Sequence, residues 1–292
     1  MSRYYRSFLE ESAIPFPISN LFAYSFRKVV STANLSCRVR RSSDNTEQDI
    51  GFVVNDLDTA SLSTFVGAGT GFITTMYEQN GSGINLNQTN ASYQFKIVDS
   101  GIIYTLNGKT SCVTTSNDGG ARYLQTTSLF SPSVITGLSI FSVTKLITQL
   151  GGTYSADFQY SIGSGVASTT GRLVDVATGG SAGNPTSYNQ NVQQGTSIIS
   201  TPYTAGTKLQ SHLIKSGSNQ FYQNNILVGS NTTTLVTPDI NQKLKINTLS
   251  WGTPTGDSRA DQYFSEILIY NSDESSNLTT IQNNINSYYA IY

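Results

Sequence analysis

What most constrains this chain is a long succession of short β-favouring segments with little helical periodicity between them. "CRVRR", "GFITTMY", "YQFKIV", "LSIFSVTKLI", "DFQYSIG", "GRLVDVA", "KLQSHLIKSG", "FYQNNILVG", "KLKINTLSW" and "YFSEILIY" are rich in β-branched and aromatic residues. Clusters of Gly, Asn, Asp, Ser and Pro separate them. Strands in such a series, with no helices between them, pack as antiparallel sheets in a sandwich or jelly roll. Two segments depart from the pattern. "SLSTFV" after "NDLDTA" reads as a short helix with Asp56 or Asp58 near its start as a cap. Leu278, Ile281, Ile285 and Tyr289 recur at intervals of three or four, which predicts a terminal amphipathic helix capped by Ser275 or Ser276.

Residues 1–20 form a separate stretch. Tyr4, Tyr5, Phe8 and Leu9 have helix-like spacing until Pro15 and Pro17 stop it. The expectation is an arm that docks on a neighbour or folds back on the domain's own flank. With no internal repeat, the economical division is an arm at 1–20 and one domain at 21–292.

Only 12% of residues are charged and the formal net charge is −1. That balance supplies no long-range attraction, so neither nucleic acid nor a membrane is an expected partner. Solubility must come from Ser, Thr, Asn and Gln, a surface expected of proteins that work outside cells or on virus particles. The first twenty residues contain no apolar signal-peptide core, and no later run approaches the roughly 18 apolar residues of a membrane span. Cys37 and Cys112 fall in strand-like segments and read as buried thiols rather than a disulfide. The single histidine, His212, lies in a strand-like alternation. A His-rich zinc site is therefore excluded, as is a Ser-His-Asp triad unless His212 serves it.

"YEQNGSG" (77–83) places a carboxylate beside two glycines. "FITTMYEQ" alternates as a strand, with Phe72, Thr74, Met76 and Glu78 on one side and Ile73, Thr75, Tyr77 and Gln79 on the other. Asn80-Gly81 then supplies a turn, with Gly83 as a second tight step. "GSG" lacks the spacing of a dinucleotide or P-loop motif, and "FVGAGTG" leads into a strand, so neither cradles phosphate.

Several segments follow a long, ordered pattern: "AYSFRKV" (23–29), "RVRRSSDNTEQDIGF" (38–52), "DLDTASLSTFVGAGTGFITTMYEQNGSGINLNQT" (56–89), "LNGKTSCV" (106–113), "SNDGGARYLQTT" (116–127) and the closing 263–292. It resembles the concanavalin A-like (LamG-like) modules of phage and giant-virus surface proteins. It also resembles the N-terminal part of the α-L-arabinofuranosidase B catalytic domain. The resemblance covers about 21–130 and 240–292, while 147–240 carries only generic β patterning. It implies a concanavalin A-like jelly-roll sandwich of two antiparallel sheets. Where such modules usually read "YDQSG", this chain has Glu78 for the Asp and Asn80 for the Ser.

A glycosidase needs two carboxylates about 5–9.5 Å apart across a sugar. In the matched region the candidates are Glu78, Asp49 and Asp44. The methylene added at Glu78 argues against a nucleophile, whose placement is tightly set. Arg40, Arg41, Asp44, Glu47 and Asp49 read as a loop fixed by ion pairs. "GTYSADFQYSIGSG" and "GRLVDVATGGSAGNP" are poor in acids, and no counterpart of the family's catalytic segments is evident there. Trp251, Tyr188 and Tyr203 are loop candidates for stacking on sugars, with Asn184, Asn189 and Asn191 nearby in sequence. Structural calcium is the one cofactor that related sandwiches suggest, but the loop acids Asp118 and Asp257 form no ligand series, and no metal is assigned.

The expectation drawn from these observations is a non-enzymatic virion surface protein: a capsid decoration, spike or fibre component. It would hold other virion proteins through the arm, with host glycans and a second copy as further candidate partners. The alternatives are a glycoside hydrolase of the arabinofuranosidase type and a cellular LamG-type adhesin module.

Overall fold

The structure, a computed structural model, describes residues 19–115, 122–127, 136–149, 156–163, 172–181, 183–192, 197–236, 242–248 and 260–292. The expected arm therefore lies almost wholly outside the described residues. Two layers of antiparallel strands face each other as an all-β sandwich, closed on one flank by a C-terminal helix.

The front layer runs, strand beside strand, as Glu47–Val53, Leu35–Arg41, Gly71–Met76, Leu86–Asn87, Leu124–Thr126, Lys243–Ile246, Ala156–Gly163, Arg172–Ser181, Asn184–Val192 and Ser197–Pro202. The back layer runs Leu21–Ser25, Ala260–Tyr270, Leu138–Gln149, Lys208–Lys215, Ser218–Gln223 and Ile226–Asn231. Phe95–Asp99 and Cys112–Val113 join the layers on one side, pairing Ile73 with Phe95, Val113 with Lys96 and Cys112 with Phe264. On the other side the far edges meet. A Cβ at Gly229 would come within 2.4 Å of Ile199 Cγ2, so only glycine permits that approach.

Period-two alternation builds the core between the layers. Val39, Ile50, Ile73, Leu86, Leu124, Ile162, Val174, Val176, Val192, Leu244 and Ile246 face inward from the front against Ile140, Ile214, Phe264, Ile267 and Ile269 from the back. Cys37 and Cys112 are buried in this core as free thiols. Burial pushes the Cys37 thiol up to about 12. His212 also points inward, stacked on Phe221 at 4.5 Å, with Nδ1 2.6 Å from Gln190 Oε1. Burial pushes its pKa down to about 3, so it is a neutral sheet residue.

The expected alternation of "FITTMYEQ" is interrupted. Ile73 and Met76 are both fully buried although three residues apart. The pairing register with Leu35–Arg41 slips at this point, so a bulge moves Met76 onto the face of Ile73.

Both expected helices are present. Helix α1, Thr59–Val66, starts at Asp58, whose carboxylate accepts from the Ser61 amide. Helix α2, Leu278–Tyr289, starts at Asn277 rather than at a serine, and its first turn has no side-chain cap. Glu274 fixes the entry instead, accepting from Asn277 through both its backbone and its carboxylate. Ile281, Ile285 and Tyr289 pack on the outer face of the back layer against Phe141, Leu213 and Leu268. Each such burial contributes roughly 1.5–3 kcal/mol, which holds α2 without a cap.

Candidate functional site

Alternation that sends apolar residues inward also fixes what the front layer presents outward. Following the register from strand to strand, one continuous row crosses the layer: Asp49, Arg38, Thr75, Asn87, Gln125, Lys245, Ser161, Asp175, Asn191 and Ile198. Nine of these ten side chains are polar, on the face opposite the core.

The row changes character along its length. At the Asp49 end the groups satisfy one another. Arg38 holds Asp49 through two bonds of 2.7 and 2.9 Å, and the Tyr77 hydroxyl donates to the same carboxylate at 2.7 Å. The guanidinium of Arg38 holds the Asp49 carboxyl below its usual range, while burial, with Asp49 beside it, pushes the Tyr77 phenol up to about 12. Thr75 donates to Asn87 at 2.9 Å.

Further along, the row sinks. Ser161 and Asp175 are 0% and 1% exposed, and Lys245 is 8% exposed. The Ser161 hydroxyl donates to the Thr248 carbonyl at 2.8 Å. Lys245 and Asp175 stand on either side of it, two strand spacings or roughly 10 Å apart. The arrangement offers a carboxylate, a cation and, beyond Asp175, the Asn191 amide. These are the donor and acceptor types that read sugar hydroxyls.

Of the residues singled out from the sequence, Asn191 belongs to this stretch, and the carboxylates and described aromatics lie elsewhere. Glu78, 7% exposed, accepts from the amides of Ala23, Asn80 and Ser82 and from the Ser82 hydroxyl at 2.7–3.1 Å. Its carboxylate organises the "YEQNGSG" turn, in which Gly81 and Gly83 take positive φ. A shallow cleft of about 320 Å³ beside it is lined by Thr32, Asn34, Tyr77 and Gly81 among others, but four donors already engage Glu78 there. Asp44 pairs with Arg41 at 2.6 Å on the surface and accepts from Thr46. The Arg41 guanidinium holds its carboxyl well below the usual range. Asp49 is in the row, but seven strand spacings separate it from Asp175, roughly 34 Å. Each of these three carboxylates is engaged by donors of its own.

Tyr188, expected on a loop, is on the Asn184–Val192 strand and fully buried, packed on Ile199 and Phe221. Half-buried Tyr203 lies against it, with ring centroids 5.2 Å apart. Trp251, Asp118 and Asp257 lie outside the described residues. No group of three or more His, Cys, Asp or Glu that could hold a metal ion occurs among the described residues.

Asp175 is the residue that the sequence reading passed over. Its segment is poor in acids, and the useful signal there is position. An aspartate between Val174 and Val176, both core residues, must project from the opposite face of a strand. "KLKI" carries the same signal for Lys245, between Leu244 and Ile246.

An all-β sandwich with a sunken, polar sheet face is the class of molecule so defined, and known structures share its architecture. A mutant of a GH54 α-L-arabinofuranosidase soaked with 4-nitrophenyl α-L-arabinofuranoside superposes with a TM-score of 0.66 at 14% identity, over 93% of this chain and 63% of that one. A GH54 α-L-arabinofuranosidase soaked with a cyclic sulfate inhibitor gives 0.62 at 14% identity, over 93% and 63%. An arabinofuranosidase complexed with arabinofuranosyl-α-1,2-xylobiose gives 0.63 at 15%, over 93% and 62%. This chain thus spans less than two thirds of those enzymes' length. No protein-family model matches the chain, and no curated protein matches it.

The likeness extends through the middle segments that carried only generic β patterning in the sequence. It also overturns the expected non-enzymatic virion surface protein. The solved structures that share the fold along nearly the whole chain are arabinofuranosidases, and nothing in the comparisons supports a virion role. No helix among the described residues is long and apolar enough to cross a membrane.

Proposed function

We propose that this chain is a glycoside hydrolase of concanavalin A-like architecture, acting on arabinofuranoside-type substrates at the sunken part of the front face. The observation that carries the reading is Asp175: a carboxylate 1% exposed, on a strand, in the middle of a polar row rather than in the core. In two-carboxylate hydrolysis one group protonates the leaving oxygen and the other attacks the sugar or activates water. Asp175 is the strand-borne member, held to the narrow tolerance that such chemistry demands. The similar folds of known arabinofuranosidases support the substrate class.

A second reading, glycan binding without cleavage, is favoured by Asp175 being the one carboxylate among the described residues of the row's sunken stretch. One experiment separates the two. Arabinan and 4-nitrophenyl α-L-arabinofuranoside are incubated with the protein and with Asp175→Asn, and released sugar is followed by chromatography. Release by the parent and not by the variant is expected. Retention of arabinan without release selects the binding reading, and neither release nor retention overturns both.

A further inference from the structure

Four lysines of this chain meet an ionic or hydrogen-bonding partner. Lys96, Lys109 and Lys215 reach Asp99, Asp56 and Asp273 at 3.2–3.4 Å, and Lys208 donates to Thr204 at 2.7 Å. Lys243 and Lys245 differ. They project from the same side of one short strand, two residues apart, with Leu244 and Ile246 turned into the core between and beyond them. Neither makes an ion pair or a side-chain hydrogen bond among the described residues, and Lys245 is only 8% exposed. Asp175, two strands away across Ser161, does not reach Lys245. Burial lowers the Lys245 pKa and the neighbouring Lys243 lowers it further, so the site works against its own cation.

Two like charges on one side of a strand, one of them desolvated, disfavour the fold unless a counter-charge arrives. A counter-charge bound there would sit at the edge of the proposed sugar site, with the sugar ring over Ser161 and its hydroxyls toward Asp175 and Asn191. We infer that the glycan recognised on this face is anionic, bearing a uronic-acid carboxylate or a sulfate ester that seats between Lys243 and Lys245. This rests on the reading of the front face as a glycan site and adds to it a substrate class.

The test is titration calorimetry of the full chain with three oligosaccharides of equal length: a neutral arabino-oligosaccharide, an oligogalacturonate and an O-sulfated neutral oligosaccharide. At least one anionic probe should bind about tenfold or more tightly than the neutral one, as expected of a charge-assisted hydrogen bond. The probe that does so identifies carboxylate or sulfate as the group recognised. Lys245→Gln should erase that preference, so that in this variant the anionic probe binds no more tightly than the neutral one. Lys109→Gln, which removes a lysine paired with Asp56 outside this row, should leave the preference intact. Equal affinity for all three probes overturns the inference while sparing the glycan site. So does an equal loss in Lys245→Gln and Lys109→Gln, which would mean diffuse attraction. If no probe binds, the site and the inference both fall. Far-ultraviolet dichroism of each variant confirms that it folds.

Discussion

Two charge clusters in this molecule are built on opposite terms. Arg27, 5% exposed, and Glu266, fully buried, face each other beneath α2. Arg27 donates to both Glu266 oxygens at 2.7 and 2.9 Å and to Asn284 of α2 at 2.7 Å. Ser25 donates to the same carboxylate at 2.7 Å, and the rings of Tyr288 and Tyr289 lie 5.3 and 5.9 Å from the guanidinium. Burial depresses the Arg27 pKa, yet Glu266 outweighs it and the net shift is upward. In the front layer, Lys243 and Lys245 have no such closure among the described residues. The first cluster is a completed joint that ties the first strand, the back layer and the terminal helix together. The second leaves its charge to be met from outside, which is what a binding site requires and a structural joint does not.

The largest effect should come from breaking the joint. Glu266→Ala leaves Arg27 buried and uncompensated, and urea unfolding should register a loss of roughly 3–5 kcal/mol. A change below about 1 kcal/mol would erase the contrast between the clusters.

His212 tests whether the interior between them is as neutral as its packing implies. Around its ring stand Gln190, Tyr160 and Phe221, none of them charged at neutral pH. Its folded pKa of about 3 lies below the unfolded value near 6.5, so the unfolded chain binds the proton more tightly. Stability from this group is complete above about pH 6.5 and is lost as pH falls toward 3, by up to about 1.4 kcal/mol per pH unit. As the chain has one histidine, His212→Gln should flatten the fall measured between pH 6.5 and 5.

These contrasts also explain what could be read from the sequence. The all-β sandwich was legible because alternation and turn residues repeat in every segment, and both helices were legible from the spacing of their apolar residues. The break in "FITTMYEQ" was not, because a bulge is set by slippage against a partner strand that the sequence does not pair. Nor was the start of α2, where Glu274 holds Asn277 through backbone and side chain and no side chain caps the first turn. The site was hidden for a related reason. Its residues come from segments far apart in sequence, among them 38–49, 75–87, 125, 161–191 and 245, and only strand order brings them into one row. Glu78 drew attention because it stands beside glycines, and its four donors show that the same turn consumes it.

Smaller effects sharpen the comparison. Glu78→Gln keeps the shape but loses the charge that its donors meet, so thermal unfolding should show a loss of about 1–2 kcal/mol. Lys245→Met should act in the other direction. Replacing an unpartnered, buried ammonium by a thioether of similar length should leave stability unchanged or raise it by up to about 1 kcal/mol. A clear loss would mean that Lys245 is part of a completed joint after all.

The placement of the chemistry on the front face is tested most directly by the rate of 4-nitrophenol release from 4-nitrophenyl α-L-arabinofuranoside for the parent, Asp175→Asn and Glu78→Gln, each melting within a few degrees of the parent. Removing a carboxylate that takes part in the reaction should cost about a thousandfold or more, so Asp175→Asn should fall by that factor while Glu78→Gln stays within about threefold of the parent. Retained release in Asp175→Asn, or loss in Glu78→Gln alone, would contradict that placement and return the chemistry to the turn.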